Sequence, residues 1–170
     1  MAVDRELIGE FVDAAAQDQA KARRMLGEHP ELLNARWRLG ETALHFLAVE
    51  SFTDAVRFLA SLGADVNATN EFGATALIDV ASLGNDLMAE VLLEFGADPN
   101  AASETNDNVL HCAVRSGNTR LVGLLLRAGA RADYVTDLKE TVFDALPSRP
   151  EEREAMTSIL ESHGIRRKGA

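Results

Sequence analysis

A period of 33 residues runs through this chain. GETALHFLA at residue 40 aligns with GATALIDVA at 73 and NDNVLHCAV at 106. LASLGADVNA at 59 aligns with LLEFGADPNA at 92 and LLRAGARADY at 125. Single columns hold without drift: Leu44, Leu77, Leu110 and Phe143; Gly63, Gly96 and Gly129; Asn67, Asn100 and Asp133. Such a period marks a structure assembled from stacked copies of one small unit.

Each unit reads as two helices and a turn. Thr42, Thr75 and Asn108 each precede an apolar stretch and are positioned to cap a first helix. A second apolar stretch, DAVRFLASLG or MAEVLLEFG, ends at a Gly suited to a left-handed helix end. The segments that follow, ADVNATNEFG and ADPNAASETN, are turn-rich and project as hairpin-like fingers. One helix pair of this size cannot cover its own apolar face, so stacking on the next pair supplies the core.

These motifs resemble the ankyrin repeat, whose consensus runs G-x-T-P-L-H-x-A-A, then a second helix, then G-A-D-V-N. The resemblance implies an all-α fold, a helical solenoid in one domain over 1–170, with repeats at about 4–36, 37–69, 70–102, 103–135 and 136–168. The first and last units are degenerate. Only Phe11 and Asn34 keep register in the first, and Thr141 and Phe143 in the last, as expected of polar caps. From Phe143 to Gly164 the chain runs two residues longer than the internal spacing, so the last loop is expected to be distorted. Four departures stand out. Asn106 and Lys139 replace the finger Gly, and Ser51 replaces the Gly between helices. Ile78-Asp79 replaces the His-plus-apolar pair, and Trp37 stands where the family commonly has Asp. Lys tolerates a left-handed turn poorly, so the last finger is expected to be reshaped or frayed.

The composition excludes several classes of function. The net charge is −10, the reverse of a nucleic-acid footprint. Residues 1–102 hold 7 Lys/Arg against 17 Asp/Glu, and residues 103–170 hold 10 against 10, so the imbalance lies in the first three-fifths. The single cysteine, Cys112, has no internal disulfide partner, and no Cys/His cluster has zinc spacing. The beginning, MAVDRELIGEF, lacks the pattern of a signal peptide, and no apolar run reaches membrane-span length. The expectation is a cytoplasmic protein, monomeric in isolation, with no nucleic-acid or membrane partner.

The residues that invite chemistry have simpler readings. His45 and His111 lie two periods apart, too far for a shared metal or catalytic pair. In the family this His bonds locally to the Thr hydroxyl and the turn backbone, so both read as scaffolding. Cys112 and His111 are neighbours on a helix, about 100° apart, and do not face one another. No phosphate loop, serine-hydrolase elbow or metal motif occurs. The expectation is therefore no catalytic residue, no metal and no cofactor.

What remains is a surface. The finger column holds Leu39, Phe72, Thr105 and Leu138, flanked by Arg38, Glu71, Glu104 and Asp137 on one side and Glu41, Ala74, Asp107 and Glu140 on the other. The first-helix ends add Val49, Glu50, Ser82, Leu83, Arg115 and Ser116. The resemblance places these positions along a concave groove. An apolar stripe with an acidic rim has the anatomy of a binding surface. The expected partner is a protein with basic and apolar features. Two other roles stay open: an inhibitor, immunity or effector-type regulator of an enzyme, and a structural subunit of a larger assembly.

Overall fold

The computed structural model describes residues 3–104, 108–137 and 139–167. Helices come in pairs: α1 Arg5–Gln17 with α2 Gln19–Glu28, α3 Ala43–Val49 with α4 Thr53–Ser61, α5 Ala76–Ser82 with α6 Asp86–Glu94, and α7 Val109–Ser116 with α8 Thr119–Arg127. A last helix, α9 Pro150–Ser162, closes the stack. First helices α1, α3, α5 and α7 pack in one row, and second helices α4, α6 and α8 pack in another, with α9 against α8. Among the described residues regular strands are absent, and only the bridges Thr69–Thr75 and Ala102–Asn108 pair extended backbone. None of these helices is long and apolar enough to cross a membrane. The result is an all-α repeat solenoid.

The caps form where the sequence places them. Thr42 Oγ1 accepts from the His45 amide at 3.2 Å, Thr75 Oγ1 from Ile78 at 3.4 Å, and Asn108 Oδ1 from His111 at 2.8 Å. Each satisfies one of the orphan donors at a helix start. Asn85 and Asn118 do the same for α6 and α8. Leu44, Leu77 and Leu110 are at most 1% exposed and lie in one core running from Ile8 to Leu160.

Neighbouring repeats are tied by a ladder of asparagines. Asn34, Asn67 and Asn100 each accept, through Oδ1, the backbone amide of Asp65, Asp98 and Arg131, all at 2.8 Å. The side-chain amides of Asn67 and Asn100 also donate to the carbonyls of Gly96 and Gly129. The period of 33 thus repeats as the same bond in successive units. A second tie joins fingers: the Glu71 amide donates to Leu39 O at 2.9 Å, and the Glu104 amide to Phe72 O at 3.1 Å. That approach explains the finger glycine. A Cβ on Gly40 or Gly73 would lie within 2.9 Å of the next finger's backbone, and both residues have positive φ.

The last finger keeps its turn, which corrects the expectation of a reshaped one. Lys139 adopts φ 65°, its amide donates to Thr136 O, and the Thr136 amide donates to Glu140 O. Gly40 and Gly73 each lie against the next finger. The distortion falls one step later. Where a first helix would begin, the Asp144 carboxylate accepts from both the amide and the hydroxyl of Thr141, each at 2.8 Å. This closes a turn over 142–145, and Pro147 prevents a helix from continuing. Val142 and Phe143 still reach the core.

This packing sets the cost or gain of three substitutions. Leu77→Ala should cost about 2–5 kcal/mol, because its neighbours on both sides are fixed helices, measured by urea unfolding. Lys139→Gly should gain about 0.5–1 kcal/mol by releasing a left-handed non-glycine residue. Ser51→Gly should gain less, although Ser51 also has φ 66°, because Ser51 Oγ accepts a bond from Asn85 at 2.9 Å.

Candidate binding surface

The expected surface residues separate into two rows at opposite ends of the first helices. One is the finger row: Arg38, Leu39, Glu41, Glu71, Phe72 and Glu104. The other lies at the loops that follow α3, α5 and α7: Val49, Glu50, Ser82, Leu83, Arg115 and Ser116. A helix of seven residues separates them by about 10 Å. Thr105 and Asp107, with Asn106 and Leu138, lie outside the described residues.

In the finger row, Leu39 is 56% exposed and Phe72 52%. The bond from the Glu71 amide to Leu39 O ties together the two fingers that carry these side chains. Arg38 is exposed, and its guanidinium lies 4.5 Å from the Trp37 ring centroid. Trp37 meets Phe46 edge-on at 5.3 Å, so the unusual Trp is a wedge between the first two repeats, anchoring the finger that carries Leu39. The stems of Glu71 and Glu104 pass against Gly40 and Gly73. Ala74 is only 6% exposed, so it offers no contact area. This corrects its inclusion in the surface: its methyl belongs to the core that the finger covers.

In the loop row, Leu83 is 63% exposed, Val49 is half-buried, and Glu50 and Arg115 are exposed. The hydroxyls of Ser82 and Ser116 donate to Ile78 O and Ala113 O, leaving only lone pairs for a partner. Sequence reasoning missed Phe52 and Leu87, which are 44% and 62% exposed beside the α3–α4 loop and at the start of α6. Asn85 Nδ2 donating to Ser51 Oγ holds those two loops together. The available signal was position: each large apolar residue lies next to a helix start instead of on the periodic core columns.

Charge is distributed unevenly between the two helix rows. On the second helices, Arg57 pairs with Glu94, and Arg120 with Asp86 and Glu90, each across a repeat boundary. Among the described residues no ion pair engages Glu41, Glu50, Glu71 or Glu104. Glu41 is half-buried. Burial lifts its carboxyl above the usual range, Asp79 and Glu50 add to the rise, and His45 offsets part of it.

Between the rows lies a polar cluster that the sequence did not reveal. His45 is 1% exposed, and its Nε2 lies 2.8 Å from Asp79 Oδ2 in the next repeat. The expected local bond from the imidazole to Thr42 is therefore replaced by one across the repeat boundary, and Thr42 serves only the backbone. In repeat four the local arrangement survives: His111 Nδ1 and Asn108 Oδ1 are 2.8 Å apart. Asn reaches the ring nitrogen, whereas the shorter Thr leaves His45 Nδ1 with no hydrogen-bond partner. Asn70 Nδ2 also donates to Asp79 Oδ2, at 3.3 Å. Glu41, His45 and Asp79 each offer one donor atom within 4.8 Å of the others.

Comparison with known proteins agrees with this architecture. The family model for ankyrin repeats (3 copies) matches residues 11–103 and 52–137. A serine/threonine-protein kinase, VIK of Arabidopsis thaliana, is 35% identical over 77 residues. That match covers 45% of this chain and 18% of the kinase. The capped helix pairs, the glycine turns and the asparagine ladder recur at the period the family requires, and the matched segments together span most of the molecule. The chain belongs to the ankyrin repeat family.

Proposed function

We propose that this chain is a non-enzymatic protein-binding module that takes a partner with basic and apolar features on the finger and first-helix side. Ankyrin repeats generally serve as protein–protein interaction modules, and one observation carries the specific reading. Leu39 and Phe72 stand more than half exposed beside carboxylates that no ion pair of the described residues engages, whereas Arg57 and Arg120 on α4 and α8 pair with Asp86, Glu90 and Glu94 of α6. An apolar anchor desolvates on contact, and an unpaired acidic rim attracts and orients a basic partner.

The fingers are held to one another and to the helices by backbone bonds, so little ordering is required when a partner arrives. A preformed surface keeps more of its contact energy as affinity. The loop row extends the contact area through Leu83 and Val49. The similarity to VIK is not a basis for assigning kinase activity, since the matched segment is a small part of that protein.

The test is binding kinetics with a partner captured from the native host. Phe72→Ala should cost about 2 kcal/mol or more, as central aromatic anchors do. Reversing Glu71 and Glu104 to Lys should slow association while leaving dissociation nearly unchanged, and added salt should narrow the difference. Circular dichroism should show both variants folded, since the Lys stems can pass the finger glycines as the Glu stems do. Folded variants with unchanged rates would move the site away from the fingers.

A further inference from the structure

We propose that Glu41, His45 and Asp79 form a site for one divalent transition-metal ion of the zinc class, bridging repeats two and three. The three side chains come from three separate places: the finger turn, the first turn of α3, and α5 of the next repeat. Their donor atoms already converge within 4.8 Å. Tetrahedral zinc, with bonds of about 2.0–2.2 Å to nitrogen and oxygen, needs donors about 3.3 Å apart. Small rotations of the two carboxylates bring them to that spacing around a fixed imidazole.

The fixed point is His45. Its ring is buried in the α3 packing, with Nε2 turned toward Asp79. Bonded to a carboxylate, Nε2 must carry the proton, and Nδ1 becomes a buried acceptor with no hydrogen-bond partner. Coordination of an ion by Nε2 would place the ring proton on Nδ1, where a bound water is needed to accept it. Asn70 Nδ2 donates to the same Asp79 oxygen, Oδ2, that faces His45, and so fixes the orientation of that carboxylate.

Electrostatics point the same way. Two carboxylates face one imidazole, and burial, with Asp79 and Glu50 adding to it, raises the Glu41 carboxyl while His45 offsets part of the rise. A dication compensates that charge. One nitrogen and two carboxylate oxygens leave a coordination position for water, a set that suits Zn²⁺ better than Mg²⁺, which favours octahedral oxygen. The proposal does not depend on the partner-binding reading, and its test uses no partner.

The experiment is titration of the full chain, stripped with chelator and exchanged into buffer, with Zn²⁺ by calorimetry, with metal content and thermal melting measured in parallel. The expected result is one Zn²⁺ per chain at micromolar affinity, a raised Tm, and no response to millimolar Mg²⁺. Glu41→Gln and Asp79→Asn should each weaken Zn²⁺ binding about tenfold or more. Glu41→Gln removes a carboxylate whose ionisation the fold opposes, so this variant keeps the test valid if others unfold. His29→Gln and His163→Gln should leave binding unchanged. Absence of stoichiometric binding, equal affinity in Glu41→Gln and Asp79→Asn, or loss with the surface histidines would overturn the site and leave His45–Asp79 as a cross-repeat hydrogen bond.

Discussion

Each repeat leaves bonds that only its neighbour completes. Its apolar face is covered by the next helix pair, its Asn side chain finds a backbone amide 31 residues on, and its finger carbonyl meets the next finger's amide. A single unit would expose both the apolar face and the polar ladder to water. Stability in such an array is a property of the interfaces between units. The same interfaces set the geometry of the surface, since one of these amide bonds joins the fingers that carry Leu39 and Phe72.

From this coupling comes a division of labour between the two helix rows. Second helices carry apolar cores inward and Arg–carboxylate pairs across repeat boundaries outward. Exposed pairs of this kind add little stability individually, about 0–1 kcal/mol, but they match Arg57 and Arg120 with carboxylates of α6 across two repeat boundaries. On the finger side, among the described residues, no ion pair engages Glu41, Glu71 or Glu104 beside exposed Leu39 and Phe72. Trp37 matters here by a mechanical route: wedged on Phe46 and under Arg38, it fixes the first of the two anchoring fingers.

The parts of this structure that repeat were legible in the sequence. Thr42, Thr75 and Asn108 announce the first helices, and the Gly and Asn columns announce turns and ladder, because each role is local and recurs. What breaks the period was harder to read. Asp79 looked like a lost family residue, and only folding shows that it reaches His45 in the preceding repeat. Lys139 suggested a broken finger, yet it takes the left-handed conformation and its amide still reaches Thr136 O. Thr141 keeps its column in the last repeat, but Asp144 captures it and Pro147 stops a helix from following. Ala74 fell in a surface column by register alone, although a small side chain at that position turns inward. Neighbour-dependent facts of this kind have no signature at one position.

Where a partner sits can be decided by photo-crosslinking. A photoreactive phenylalanine analogue placed at Phe72 or Leu83 samples the finger and loop rows, and one placed at Arg57 or Glu94 samples the outer helices. If the first-helix side is the binding face, the captured partner crosslinks from positions 72 and 83 and gives little product from 57 and 94. Crosslinks concentrated at 57 and 94, with none from 72 and 83, would contradict a finger-side interface and place the contact on the second-helix row.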